Sequence, residues 1–300
     1  QNGGEAAPMS IAIDTACLEC HLKRSLELVR PLGTEEQAMA FAKALMQLYQ
    51  QVPDGAASPW FGPRMAKLLE EMYGLPADRM GQEKELSNRF VLERMPQIRE
   101  KVFSAPDPVF AGLQFSILGN YLDFAALQGQ VSLETLEDML DKGLEMQLDP
   151  IVYAQLCRDL ETGRSLLYLT DNAGEIGFDR IFAEAIARKY PHLAITFCVR
   201  GGPTQNDATR EDAALVGIPF PVIDNGNQVA GTQLDELGQE ARQALETADV
   251  ILAKGMGNTE TMYGCGYNVY YAFLIKCQRF VKHFGHPMFT PLLVRDPEVG

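Results

Sequence analysis

The chain has 300 residues, 46% of them hydrophobic and 22% charged, and 26 Lys+Arg against 40 Asp+Glu give a net charge of −14. That length suits two ordinary domains or one large one, and the composition excludes wholesale disorder. There is no basic face to replace nucleic-acid counterions; basic clusters are as short as Lys23-Arg24. No window nears the ~18 uninterrupted apolar residues of a membrane span, and no secretory leader is expected. Met9 is expected to be the native start, preceded by a cloning remnant, Gln1–Pro8. Six cysteines are too sparse for a disulfide framework, so a reducing cytoplasm is the expected compartment.

The first half reads as helical. Cys17, Cys20, Leu22, Leu26 and Val29 approximate one helix face, and Ala38, Phe41, Ala42, Leu45 and Leu48 form the next. Further helices are predicted at about 63–73, 83–103, 107–128 and 132–147, punctuated by Gly33, Pro53, Gly74-Leu75-Pro76 and Pro106. From about residue 165, short β-rich runs alternate with helices. Strands are predicted at Ser165–Thr170, Leu193–Val199, Phe220–Ile223, Val250–Ala253, Val269–Ile275 and Leu292–Val294. Helices are predicted between them at Ile176–Lys189, Asp207–Val216 and Leu234–Thr247. This alternation predicts a mostly parallel sheet with helices on both faces. The expected architecture is α/β: a helical N-terminal domain, residues 9–104, on a Rossmann-like three-layer α/β/α domain, residues 105–300.

In such a sheet the site forms outside the carboxyl ends of the strands. Asp171, Asn172 and Glu175 follow the first strand, Asp207 follows the second, and Lys254-Gly255-Met256-Gly257-Asn258 follows the fourth. Asp171-Asn172 alone would serve as a turn and helix N-cap. With Asp207 in the matching position of a neighbouring strand, the three offer hard oxygen ligands for Mg²⁺ or Mn²⁺. The glycine-rich loop, an ordinary turn in isolation, reads as a backbone approach to an anion, with Lys254 as a point charge for phosphate. Asn120 and Asp123 share one face of an apolar helix, which implies a polar site or another helix end beside it. Cys17 and Cys20 form a lone C-x-x-C without the second ligand pair of a structural zinc site. They are open to core packing or to metal or redox work. The expectation is reduced thiols at the domain interface, outside the hydrolytic chemistry.

The segments T-D-N-A-G-E-I-G-F-D (170–179), N-D-A-T-R-E-D (206–212), K-G-M-G-N-T-E (254–260) and G-N-Y-L-D-F (119–124) resemble, in order, the metal-dependent damage-control phosphatase family. One branch of that family was named an acidic-residue methyltransferase. The C-x-x-C with Lys276-Cys277 resembles its prokaryotic cysteine-pair subgroup. Where family members carry aliphatic residues before N-D, this chain has Thr204-Gln205. The resemblance implies a divalent metal on Asp171, Asn172 and Asp207, and phosphate contacts from Lys254 through Asn258. It also implies that Asn120 and Asp123 face the site, and that the substrate is a phosphorylated metabolite such as a sugar phosphate or a phosphopantetheine-type compound. Asp171 and Lys254 are the expected catalytic residues, and Asn120, Asp123, Glu175, Gly255, Gly257 and Asn258 the expected substrate-binding ones. Magnesium, manganese, or another first-row ion such as Co²⁺ or Ni²⁺ is the expected cofactor. Nucleic acid and membrane are not expected partners; the oligomeric state is open. The attacking group is water or Asp171 itself. The alternatives are an S-adenosylmethionine-dependent methyltransferase and a non-catalytic metabolite-binding protein. The first is disfavoured by a single glycine after the first strand and by Arg200, not an acid, after the second.

Overall fold

The computed structural model describes residues 11–127, 140 and 142–299, without the side chains of 121–127. Six strands form one sheet in the order β3-β2-β1-β4-β5-β6: β1 Ser165–Leu169, β2 Ala194–Val199, β3 Val222–Asp224, β4 Val250–Lys254, β5 Val269–Leu274 and β6 Pro291–Arg295. β1 to β5 pair in parallel, and β6 runs antiparallel on β5. This order reverses direction between β1 and β4, which opens a crevice at their carboxyl ends, the usual ligand position of doubly wound sheets.

Strand side chains alternate between two cores, as a strand's two-residue period requires. Leu166 and Tyr168 of β1 face one core and Leu167 and Leu169 the other. The first core is closed by α4 Gly81–Ser104, α5 Pro108–Leu127, α6 Pro150–Thr162 and α7 Glu175–Lys189. The second is closed by α9 Gln239–Thr247, α10 Gly255–Met262 and α11 Gln278–Phe284. The sheet is therefore the middle layer of an α/β/α sandwich. Val91, Ile98 and Val102 of α4, on the N-terminal side of the expected boundary, sit in the first sheet core.

A separate small core joins α1 Thr15–Val29, α2 Glu35–Tyr49 and α3 Phe61–Tyr73 around Val29, Phe41, Leu45 and Leu69. The sequence caps these helices itself. Asp14 accepts from the Cys17 amide, Thr34 and Gln37 form a reciprocal capping box, and α3 stops at Gly74 in the left-handed region.

α5 and α7 pack closely because Gly112 and Gly119 lack side chains where Phe182 and Phe178 press in; a Cβ on Gly119 would lie 2.8 Å from Phe178 Cδ2. This contact brings Asn120 down to the strand ends. The last turn of α7's entry is tied to α4: Asn88 Oδ1 accepts from the Gly174 amide at 2.7 Å, and its Nδ2 donates to Asp212 at 2.7 Å.

Several elements differ from the sequence prediction: α10 stands where a glycine-rich loop was expected, α11 was not foreseen, and α9 begins at Gln239 instead of Leu234. α6 was not foreseen, although Asp149 caps it and Pro150 occupies its first turn. The predicted Asp207–Val216 helix shrinks to α8 Arg210–Leu215, because the Thr209–Asp212 capping box starts it three residues later. Most of the helix predicted at 132–147 lies outside the described residues; Gly143–Glu145 within it is a single 3₁₀ turn.

Candidate active site at the strand ends

Asp171 and Asn172 leave β1 at the crevice. An isolated antiparallel bridge joins Asn172 to Asp207, with the Ala208 amide donating to the Asp171 carbonyl at 2.8 Å. The two loops are thus stitched together, and the three residues expected as ligands become neighbours. All three are buried. Gln205, just ahead of Asn206-Asp207, has φ 47°, so the chain turns sharply to present Asp207.

Asp171 Oδ2 accepts from Asn120 Nδ2 at 2.7 Å and from Asn172 Nδ2 at 2.9 Å. Both amides also donate to Glu175 Oε2, at 2.9 and 3.0 Å. Asn172 Oδ1 accepts from Asn206 at 3.0 Å. Asn120 Oδ1 is buried and has no hydrogen-bond partner. Burial pushes the Asp171 carboxyl well above its ordinary range; Glu175 and Asp207 add to this, while Lys276 and Arg200 oppose it. Asp207 is also pushed up by burial, against the pull of Arg200. Among the described residues no group of three His, Cys, Asp or Glu side chains is arranged to hold a metal ion. The donors gathered here are two carboxylates and carboxamides, which could hold a hard cation.

Lys254 lies behind this group. It was expected to meet a phosphate; instead it is fully buried, and its ammonium donates to Glu175 Oε1 at 2.6 Å, Asp179 Oδ1 at 3.1 Å and the Ser116 carbonyl at 3.0 Å. An ammonium has three donors, so all are used within the protein. Ser116 and Tyr168 also donate to Asp179 Oδ1, at 2.7 and 2.8 Å. Burial raises the Asp179 carboxyl to about 6 despite Lys254.

The glycine-rich segment after β4, expected as a loop, is instead the first turn of α10, and it is likewise filled from inside. A Cβ on Gly255, at φ 77°, would lie 1.9 Å from Asp171 Oδ2, and one on Gly257 would lie 2.2 Å from the Ala230 carbonyl oxygen. Asn258 donates to the Thr170 and Lys254 carbonyls and accepts from Thr232. In this arrangement Gly255, Gly257 and Asn258, expected beside a ligand, border protein atoms. Asp123 lies on α5, but its side chain is outside the described residues.

Sequence reasoning missed Arg200. It follows β2, is 1% exposed, and donates through Nε to Asp207 Oδ2 at 2.6 Å and through Nη1 to Asn258 Oδ1 at 3.3 Å. Its place at a strand end, like that of Asp171, was the available signal. A cavity of about 430 Å³ opens beside it, lined among others by Lys84, Asn88, Gly201, Gly202 and Arg210.

The cysteine pair lies elsewhere. Cys17 sits near Glu260 and Arg279, and burial raises its thiol to about 11. The cysteines are all free thiols. Arg279 pairs with Glu260 and donates to the Ala12 carbonyl at 2.7 Å, while the Ile11 amide donates to the Glu260 carbonyl at 3.1 Å. These bonds fasten the segment before α1 to α10 and α11.

A doubly wound sheet with carboxylates and amides at its central strand ends defines a class: an α/β protein with a polar ligand site at its topological switch point. The match that narrows this class is to the damage-control phosphatase ARMT1-like domain, over residues 13–290, and the chain belongs to that family. It is 31% identical over 291 residues to the uncharacterized protein MJ0202 of Methanocaldococcus jannaschii, covering 92% of this chain and 93% of that one. It is 32% identical to a damage-control phosphatase of Archaeoglobus fulgidus, covering 81% of this chain and 83% of that one. The crystal structure of a DUF89 family protein, PH1575 from Pyrococcus horikoshii, superposes with a TM-score of 0.80 at 25% identity, covering 95% of this chain and 99% of that one.

Proposed function

We propose that the chain is a divalent-metal-dependent phosphatase acting on a small phosphorylated metabolite, with Mg²⁺ or Mn²⁺ held by Asp171, Asn172 and Asp207. The observation that carries this reading is the meeting of those three buried residues across two stitched strand-end loops. Family membership and the relatives named damage-control phosphatases support it.

The residues suit a hard cation. Their donors are oxygens, the Asp171 carboxyl is pushed up by burial and by two neighbouring acids, and Asn120 Oδ1 is a buried acceptor without a partner. A bound cation would supply Lewis-acid charge to the phosphoryl group and to the attacking oxygen. The chain's own residues do the positioning. Asn120 and Asn172 hold Asp171 Oδ2 from two sides. Glu175 holds both amides in that orientation, and Lys254 holds Glu175. Asp171 Oδ2 is held by two amides, and in this reading water is the attacking group and Asp171 orients it. The metabolite is a sugar phosphate or phosphopantetheine-like compound in metabolite damage control, and the net charge of −14 argues against nucleic acid as a partner.

The test is a screen of divalent ions against phosphomonoesters, including p-nitrophenyl phosphate. Hydrolysis that depends on the ion is expected. No turnover of any phosphate ester with any ion would overturn the reading.

A further inference from the structure

We infer that Arg200 is a catalytic residue of this site, whose Nη2 donates to a non-bridging oxygen of the transferring phosphoryl group; the inference rests on the phosphatase reading above. A guanidinium offers five N–H donors in a fixed plane. Two of its three nitrogens are committed, Nε to Asp207 and Nη1 to Asn258. Nη2 is buried and has no hydrogen-bond partner. The nearby carboxylate oxygen, Asp171 Oδ1, is 4.0 Å away, too far for a hydrogen bond.

A buried donor without a hydrogen bond is costly, and a ligand that supplies the missing acceptor is one way a protein retains it. The guanidinium that carries this donor touches both carboxylates expected to hold the cation: Nε bonds Asp207 at 2.6 Å and Nη2 lies 4.0 Å from Asp171 Oδ1. A phosphoryl oxygen bound beside these carboxylates would be within reach of Nη2, and a cation held by Asp171, Asn172 and Asp207 would supply further positive charge there. The committed nitrogens fix the guanidinium plane in advance, so the donor needs little reorganisation as charge develops. Arg200 also lines the cavity of about 430 Å³ beside the end of β2. Lys254 does not compete for this role, because its donors are spent on Glu175, Asp179 and Ser116. Lysine would be a poor replacement for Arg200, since one ammonium lacks the planar fork that serves Asp207, Asn258 and a phosphate together.

The experiment compares the full chain with Arg200→Lys and Arg200→Gln, loaded with Mn²⁺, on p-nitrophenyl phosphate with inorganic phosphate as inhibitor. Turnover should fall roughly 10²–10³-fold. Phosphate inhibition and turnover should weaken far more than Mn²⁺ affinity measured by calorimetry. Unchanged turnover and inhibition in the folded variants would overturn the inference. So would a loss of Mn²⁺ affinity in step with turnover, which would make Arg200 a positioning residue for Asp207. Should the variants not fold, a crystal structure of the unaltered chain with Mn²⁺ and orthovanadate decides. An oxyanion oxygen about 3 Å from Nη2 is expected. An oxyanion bound only by other donors would contradict it. Inactive unaltered protein would instead remove the phosphatase reading itself.

Discussion

At Gly255 the chain leaves no room for a side chain, and the reason is a carboxylate rather than a ligand. The φ of 77° strains any other residue, and a Cβ would overlap Asp171 Oδ2. Gly255→Ala should keep the fold but displace Asp171, weakening Mn²⁺ binding about tenfold or more in a calorimetric titration. Unchanged affinity would show that the close approach is incidental. Lys254 carries a different expectation. Lys254→Met leaves Glu175 and Asp179 buried without their cation, and breaking such an arrangement costs about 3–5 kcal/mol. Urea denaturation should show that loss before any assay is run; a variant of normal stability would mean the ammonium is free for substrate. The sequence placed Lys254 at the right strand end but not its direction. Which way a lysine points depends on acids 75 and 79 residues away, and spacing along the chain carries no trace of that. Arg200 was passed over for the same reason: its partner is seven residues on, across a turn made by Gln205.

At the scale of elements, the strands were legible because each is a short apolar run between turn residues, and the observed ends differ from the expected ones by a residue or two. α6 was not, since Pro150 reads equally as a break or as the first turn of a helix, and only packing of Leu156 and Leu160 decides. The link between α10 and α11 gives a test of its own. Burial raises the Glu260 carboxyl from 4.5 to about 7, even with Arg279 beside it. A folded-state pKa above the unfolded one means the folded chain binds the proton more tightly. That contribution is complete below 4.5 and is lost as pH rises through about 7. Melting temperature should therefore decline across this window, and Glu260→Gln should flatten the decline. Asp179, raised in the same sense, leaves a residual slope. A variant with the same pH profile as the unaltered chain would remove Glu260 from the account.

The whole molecule follows from one alternation: apolar side chains on both faces of parallel strands demand helices on both sides, and strand order then puts the β1 and β4 ends together. Among the described residues no helix is long and apolar enough to cross a membrane. The order of motifs along the chain was enough to name the family. That Asp171, Asn172 and Asp207 meet was expected from their strand-end positions, whereas the bridge that joins their loops, between residues 35 positions apart in an otherwise irregular region, needed the fold. The most direct test of the central claim is a Mn²⁺ titration of the unaltered chain and Asp171→Ala, with p-nitrophenyl phosphate hydrolysis followed on the same samples. Binding of Mn²⁺ with hydrolysis that EDTA abolishes is expected for the unaltered chain, and neither for a folded Asp171→Ala. Hydrolysis that persists in EDTA, or an Asp171→Ala chain that still binds Mn²⁺ and turns over, would contradict the account.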